Sequence, residues 1–281
     1  MSLLVVGSLH LDVVLCAPHL PRLDETVSGS SVDYVFGGKG GNQAISAARM
    51  GAKVYFAGRA GSDPFGDMIC KTLAESDVDA SQLQRDVGPS GMSAAIMDAN
   101  GEYGAVIVSA ANLNIIAHNI IMPKGTSLVI LQNEIPQEVN LTLANKAKAA
   151  GVEVWLNAAP ARKLPKQLVE TVDLFIVNRV EAEFYACSIP EQKVLTTLGG
   201  RGVYYNGVMH EGFPVDTVST HGAGDMFVGA LAGQVVSGTT MVDSIRFAQA
   251  AAALHVSYQL EQRKYLTPQS VKTFLRNQES L

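Results

Sequence analysis

Short, largely apolar runs alternate with amphipathic stretches along the chain. Five runs have the length of strands: the first seven residues, 127–131, 152–156, 174–177 and 194–198. Helices are predicted where apolar residues recur at helical spacing: 137–150, 223–236 and 242–258. Parallel strands that helices cover on both faces are mostly apolar, so this alternation predicts an α/β fold with a mostly parallel central sheet.

Two segments depart from this alternation. Residues 13–36 contain Pro18, Pro21 and short alternating runs such as 26–34, and residues 90–109 contain two β-like runs around the hairpin signal Asn100-Gly101. We expect these segments to form a small β lid on a single domain that spans residues 1–281. No repeat or low-complexity linker divides the sequence.

Composition narrows the classes of function. The formal net charge is -5 and no long basic run occurs, so a nucleic-acid surface is not predicted. No apolar run approaches the roughly 18–20 residues of a membrane span, and the apolar start lacks a basic leader. Cys16, Cys70 and Cys187 form neither a zinc pattern nor a disulfide framework. Reduced thiols of this kind are typical of a cytoplasmic protein.

A glycine-rich turn before the predicted helix 223–236 carries candidate chemistry. It reads Thr220-His221-Gly222-Ala223-Gly224-Asp225. Unhindered amides at a helix N-terminus favour a bound anion. A carboxylate in the first turn is placed to accept a proton from an attacking hydroxyl while those amides hold a transferring phosphate. The same pattern also fits a plain cap in which Asp225 satisfies the first turn, so two interpretations stay open here.

A second glycine-rich run, Gly37-Gly38-Lys39-Gly40-Gly41-Asn42, leads into a helix predicted over 44–50. Four glycines in six residues let a backbone approach a ligand closely, and Lys39 and Asn42 supply donors. The run is neither a Walker loop nor a dinucleotide-binding fingerprint. The alternative is a flexible turn between a strand and a helix.

Taken in order along the chain, these motifs resemble those of the ribokinase (PfkB) family of sugar kinases. Residues 37–51 with Gly61 resemble the first family signature, and residues 218–229 resemble the second. Weaker matches lie between them in the expected order: 132–136, 156–162, 178–181 and 197–202. The resemblance implies a ribokinase-like three-layer sandwich. It also implies an ATP-dependent phosphotransferase that acts on a hydroxymethyl or other alcohol group of a sugar.

The resemblance implies a role for each matched residue. Asp225 corresponds to the catalytic base, and the anion hole corresponds to Gly222, Ala223 and Gly224. The sugar is implied to bind His10, Asp12, Gly38, Lys39, Asn42 and Glu134. The nucleotide is implied to bind Asn178, Thr197, Gly199, Gly202 and Gln249. Glu181 is implied to hold Mg²⁺, through water.

Several of these residues have a second interpretation from the sequence alone. Asn178 and Glu181 also fit a helix cap with its capping-box partner. Asp12 and Glu134 also fit carboxylates of surface turns.

The chain departs from the ribokinase pattern at the loops that hold a monovalent cation in that family. Ser219 stands where Asp is usual, and His221 replaces Thr. Residues 255–263 take the place of a late Arg-x-Gly-Ala segment. We therefore predict weak or no potassium activation. His10 stands where Asn is usual in the sugar site, which predicts altered selectivity.

Three functions fit these observations: a sugar kinase, a nucleoside kinase of the same fold, and a catalytically inactive sugar-binding regulatory protein. The retained Asp225 favours a kinase. We expect ATP as co-substrate with Mg²⁺, a small-molecule sugar or nucleoside as acceptor, and neither nucleic acid nor membrane as a partner. The resemblance also implies a homodimer through the β lid.

Overall fold

The predicted strands lie in two sheets of the computed structural model, which describes residues 1–98 and 103–279. The strands are, in chain order, β1 (Ser2–Val6), β2 (His10–Cys16), β3 (Ser31–Gly37), β4 (Val54–Gly61), β5 (Val78–Asp86), β6 (Met92–Met97), β7 (Tyr103–Val108), β8 (Thr126–Gln132), β9 (Glu153–Asn157), β10 (Leu174–Asn178), β11 (Val194–Thr197), β12 (Gly202–Tyr205) and β13 (Val208–Glu211).

The larger sheet has nine strands in the order β13-β12-β11-β10-β9-β8-β1-β4-β5. Neighbouring strands are parallel from β11 to β5, and only β12 and β13 run antiparallel to their neighbours in this sheet. The predicted mostly parallel sheet is therefore confirmed. The chain winds outward in both directions from β1, and ligands of such sheets bind beyond the carboxyl ends of the strands where the winding reverses.

Helices cover both faces of this sheet. They are α1 (Lys39–Arg49), α2 (Pro64–Ala74), α3 (Gln137–Ala149), α4 (Lys166–Thr171), α5 (Arg179–Tyr185), α6 (Ala223–Val236), α7 (Met241–Ser257) and α8 (Pro268–Glu279). Side chains alternate across a strand, so Leu3 and Val5 enter a core with α1, α6 and α7, whereas Leu4 and Val6 enter a second core with α3. The three-layer sandwich is thus confirmed. None of the helices in the described ranges is both long enough and apolar enough to cross a membrane.

The last four residues of the glycine-rich run Gly37–Asn42 are helical, which the sequence did not predict. Helix α1 begins at Lys39, so the predicted start at residue 44 is wrong. The Glu134 carboxylate accepts a hydrogen bond from the Lys39 amide over 2.9 Å, which offsets the cost of helical glycines by satisfying a first-turn donor.

Helices α1 and α6 pack closely enough to bring two motifs together. A Cβ atom at Gly229 would lie 2.6 Å from the carbonyl oxygen of Gln43, so only glycine permits this approach. The contact places the first turn of α1 beside the first turn of α6.

The smaller sheet has the order β3-β2-β6-β7 and contains the two irregular segments. Its first strand begins at His10, earlier than predicted, and residues 26–30 are not in a strand. The predicted hairpin at Asn100-Gly101 lies outside the described residues. The Asn112 side chain, in the connection after β7, contacts the connection between β1 and β2, because its Oδ1 accepts from the Leu9 amide over 2.8 Å and its Nδ2 donates to the Leu9 carbonyl over 2.9 Å.

Candidate active site

A polar cleft lies at the carboxyl ends of β9 and β10, against the N-terminus of α6. Several predicted site residues line it: Lys39, Asn178, Glu181, Thr197, Gly222, Ala223, Gly224 and Asp225. They come from four separate stretches of the chain, so the fold brings the two glycine-rich motifs and the Asn-x-x-Glu motif to one place. This position agrees with the rule for ligand sites in doubly wound sheets.

Asp225 is held by two side-chain amides from the first turn of α1. Gln43 Nε2 donates to Asp225 Oδ1 over 2.9 Å, and Asn42 Nδ2 donates to Oδ2 over 3.3 Å. The two hydrogen bonds fix the plane of the carboxylate at the wall of the cleft. A general base needs this kind of fixed orientation toward the proton it removes.

Burial raises the pKa of the Asp225 carboxyl above its ordinary value. The positive charge of Lys39 and the hydrogen bonds from Gln43 and Asn42 act in the opposite direction, and the charge of Glu134 adds to the rise. A carboxylate with a raised pKa is a stronger base than one in water, while its hydrogen-bond donors and the charge of Lys39 favour the ionised form.

The turn before α6 presents backbone amides to the same cleft. Gly222 is the N-cap and has φ 74°, a left-handed conformation that glycine adopts without strain. The Ala223 amide donates to the Thr220 carbonyl over 3.2 Å, so it is already engaged. The amides of Gly224 and Asp225 lie in the first turn and have no acceptor within the helix, which leaves them available to an anion.

Glu134 holds the start of α1 from the end of β8. Its Oε2 accepts from the Lys39 amide and, over 2.5 Å, from the Ser8 hydroxyl. A carboxylate at a helix N-terminus is favourable because it faces the positive end of the helix dipole. Glu134 therefore shapes the site as well as carrying charge into it.

His10 and Asp12 lie on β2, at the junction between the two sheets, and are not among the residues that line the cleft. His10 is 5% exposed, and its Nε2 has no hydrogen-bond partner among the described residues. Asp12 Oδ1 accepts from the Ser93 hydroxyl over 2.6 Å. Gly38 connects β3 to α1 beside them. A buried unpaired nitrogen next to a carboxylate suits a ligand with several hydroxyl groups.

Asn178 and Glu181 form the capping box that the sequence allowed. The Asn178 side chain accepts from the Glu181 amide over 2.9 Å, and Glu181 Oε2 accepts from the Asn178 amide over 2.8 Å. Both residues also line the cleft, so the cap and a ligand-binding role are compatible. Burial raises the pKa of Glu181, while the Asn178 amide and the Lys39 charge lower it.

The other residues predicted to bind the nucleotide lie farther from one another in the structure. Thr197 lines the cleft, and Gly199 and Gly202 form the turn between β11 and β12. Gln249 lies on α7 and donates to the His210 carbonyl over 2.8 Å. It is not among the cleft-lining residues, so its contact supports β13.

Three amide side chains behind Asp225 were missed by the sequence analysis. Gln43 Nε2 also donates to Asn157 Oδ1 over 3.0 Å, and Gln132 Nε2 donates to Gln43 Oε1 over 2.9 Å. All three fall inside the segments that resemble the family motifs. Their inward direction depends on the packing of α1 against the sheet, which the sequence pattern does not contain.

Comparison with known proteins agrees with this geometry. Residues 1–267 match the model of the pfkB family carbohydrate kinases. The ribokinase of Bacillus subtilis is 32% identical over 91% of this chain and 92% of its own. The structure of Arabidopsis thaliana ribokinase complexed with ribose and ATP superposes with a TM-score of 0.86 at 27% identity, over 98% of both chains.

The ribokinase of Thermotoga maritima superposes with the same TM-score of 0.86, at 26% identity, and covers 98% of this chain and 99% of its own. With the Asp225 carboxylate, the helix amides and the cleft in one place, the chain belongs to the pfkB family of carbohydrate kinases and is a ribokinase-like, ATP-dependent sugar kinase.

Proposed function

We propose that this kinase transfers the γ-phosphoryl group of ATP to the hydroxymethyl group of ribose or a closely similar pentose. One observation carries the proposal. The Asp225 carboxylate, fixed by Asn42 and Gln43, lies in the same helix turn as the free amides of Gly224 and Asp225. An acceptor hydroxyl and a phosphate oxygen therefore meet at a single point.

The residues of the cleft account for each proton and bond that changes during phosphoryl transfer. Asp225 accepts the hydroxyl proton, the hydroxyl oxygen forms a bond to the γ-phosphorus, and the bond from that phosphorus to the bridging oxygen breaks with release of ADP. Charge on the transferring group faces the Gly224 and Asp225 amides and the ammonium of Lys39. Fixed donors of this kind stabilise developing charge without reorganisation.

Glu181 is the proposed anchor for Mg²⁺. Within the described residues, no group of three or more His, Cys, Asp or Glu side chains forms a metal cluster. A single carboxylate at the cleft still fits, because Mg²⁺ keeps several waters and takes other oxygens from substrate phosphates. When bound, the ion would neutralise phosphate charge, and Glu181 with Asn178 would orient its waters.

Ribose is favoured as acceptor by the relatives and by the pocket at β2. Curated relatives and solved structures similar to this chain include ribokinases, one of them in complex with ribose and ATP. The buried Nε2 of His10 and the Asp12 carboxylate offer adjacent partners for sugar hydroxyls. A nucleoside is the second candidate acceptor, since its sugar has similar hydroxyls.

The second sheet is proposed to be a lid and a dimer interface. One of its faces exposes Leu15, Val32, Tyr34, Val106 and Val108, whereas Asp12 lies on the other face. A contiguous apolar face of this kind marks an interaction site, and a second copy of the sheet matches it in chemistry. We further propose a cytoplasmic location, consistent with the free thiols of Cys16, Cys70 and Cys187.

An acceptor screen tests the proposed function. Purified protein with Mg-ATP is assayed against D-ribose, 2-deoxy-D-ribose, D-fructose and adenosine, and phosphorylated products are identified by mass spectrometry. We expect the highest kcat/KM for D-ribose and a value at least about tenfold lower for adenosine. Asp225→Asn protein, prepared identically, controls for contaminating kinases. A higher kcat/KM for adenosine would establish a nucleoside kinase instead.

A further inference from the structure

Arg263 is a buried cation that contacts no carboxylate within residues 1–98 and 103–279. It is 5% exposed and lies in the 3-10 helix Leu260–Tyr265, which follows α7. Burying an unpaired charge is costly unless other groups satisfy its donors. Other groups must therefore satisfy the hydrogen-bond donors of the Arg263 guanidinium.

Backbone carbonyls satisfy the guanidinium. One terminal nitrogen donates to the Ser219 carbonyl over 2.8 Å, and the other donates to the His221 carbonyl over 2.9 Å. Nε donates to the Tyr258 carbonyl over 3.3 Å. Two of these three carbonyls belong to the loop that runs directly into Gly222, the N-cap of the catalytic helix α6.

This loop depends on the segment after α7 for its position. The amides of Val218 and Ser219 both donate to the Val256 carbonyl, and His255 Nε2 contacts the His221 carbonyl over 3.0 Å. Because a carbonyl only accepts, His255 must carry its proton on Nε2. The loop has no strand or helix of its own, so these contacts decide where the Gly224 and Asp225 amides point.

Arg263 supplies the permanent positive charge beneath the loop. Burial, with the nearby charges of Arg263 and Arg49, lowers the pKa of His255 to about 4, although its bond to His221 opposes the shift. His255 is therefore neutral near pH 7, while a guanidinium keeps its proton even when buried. Carbonyl oxygens that converge on a buried cation make the same kind of contact that a bound monovalent ion would receive.

We propose that Arg263 is a positioning residue, whose guanidinium holds the anion-hole loop through the Ser219 and His221 carbonyls and takes the place of a bound monovalent cation. The proposal rests on phosphoryl transfer at this anion hole and deepens the proposed function. It does not depend on which sugar is the acceptor.

Steady-state kinetics of Arg263→Ala and Arg263→Lys test this role, with the best sugar from the acceptor screen. Tetramethylammonium holds ionic strength constant, and potassium or guanidinium is then added. We expect the wild-type kcat to change less than about twofold on adding potassium. In Arg263→Ala, kcat should fall about tenfold or more while KM for sugar and for ATP stays within about threefold, because misplaced amides weaken the transition state. Guanidinium should restore part of the lost kcat.

Arg49→Met is the matched control. Arg49 donates to the Arg263 carbonyl over 3.1 Å, so it contacts the same segment without contacting the loop. Its kcat should stay within about threefold of wild type and should not respond to guanidinium. If Arg49→Met and Arg263→Ala lose kcat equally and guanidinium restores neither, the loss reflects a general disturbance of the fold, and the proposal is overturned.

Two further results would overturn it. One is a folded Arg263→Ala protein with wild-type kcat; Arg263→Lys keeps the positive charge, so its kcat should lie between those of Arg263→Ala and the wild type. The other is a rise of about tenfold or more in wild-type kcat/KM with potassium, which would show that the loop still needs an external cation. The potassium measurement uses only the wild-type enzyme. It therefore tests whether Arg263 replaces a bound cation even where a variant fails to fold. If no acceptor in the screen is phosphorylated, that result counts against the proposed function and not against the loop contacts. A crystal structure of the protein with potassium would then test the loop contacts directly.

Discussion

Gln43 Nε2 donates a hydrogen bond to Asp225 Oδ1 across 2.9 Å, linking the first turn of α1 to the first turn of α6. The two residues are far apart in sequence and come from different motifs. Gln43 in turn contacts Asn157 and Gln132, so a chain of amides behind the cleft determines how the Asp225 carboxylate is held.

Gln43→Leu should make Asp225 harder to ionise. In the wild type, the hydrogen bond from Gln43 lowers the pKa of Asp225. Its removal raises that pKa further, so Asp225 stays protonated up to a higher pH. The acid limb of the kcat/KM profile should therefore move to higher pH. The melting temperature should also fall, since buried amides of Gln132 and Asn157 lose a partner at a cost of about 1–3 kcal/mol.

Gln249→Leu is the control for that experiment. It removes a buried glutamine amide whose contact is the His210 carbonyl, away from Asp225. Its acid limb should match wild type. An acid limb that does not move in Gln43→Leu would show that the hydrogen bond has no part in tuning the base.

Asp225→Asn should lower kcat by about a hundredfold or more while ATP still binds, because general-base catalysis is typically worth that much. Calorimetry with ATP checks binding, and initial rates check turnover. A nearly normal kcat in this variant would remove Asp225 from the role of base.

The same variant should gain stability relative to wild type as the pH rises. Burial raises the folded-state pKa of Asp225 above its unfolded value, so its stabilising contribution is full below the unfolded pKa and is lost as pH passes through the folded pKa. Asparagine does not titrate, so the variant does not lose stability in this way as the pH rises. The difference in melting temperature, variant minus wild type, should grow as the pH rises above about 3.9, the pKa of an aspartate in an unfolded chain. The exposed Asp216, changed to Asn, should show no such growth.

His10→Leu should weaken sugar binding without weakening the fold. The His10 Nε2 has no partner among the described residues, so the substitution removes no protein hydrogen bond. If the sugar supplies the partner, KM for the sugar should rise several-fold, about 1 kcal/mol, while KM for ATP is unchanged. His118→Leu, at an exposed position, is the control. A change confined to KM for ATP would place His10 on the nucleotide side.

Val106→Glu should dissociate the proposed dimer. Val106 is 67% exposed on the face of the second sheet opposite Asp12, so a charge there disrupts an apolar interface and spares the sugar pocket. Light scattering should report twice the 29.8 kDa chain mass for wild type and the single mass for the variant. Val87→Glu, at a fully exposed valine outside the second sheet, should stay dimeric. A monomeric wild type at micromolar concentration would rule out the interface.

Much of the architecture was predictable because it depends on local pattern. Helix α6 spans the predicted residues 223–236, and β10 extends the prediction of 174–177 by a single residue. The start of α1 was not predictable, since helical glycines are unfavourable in isolation and are held here by Glu134, a residue distant in sequence. The sequence likewise located Asp225 and the residues around it, but not the amides behind them.

The sequence by itself determined the alternation of strands and helices, the family, and the place of the Asp225 carboxylate in a glycine-capped first turn, because each follows from periodicity or from contiguous motifs. Tertiary structure alone decided that Gln43 contacts Asp225, that the Ala223 amide is engaged, and that Arg263 donates to the Ser219 and His221 carbonyls. These relations join residues distant in sequence. Their geometry depends on the close approach of helices and on the direction in which each buried side chain packs.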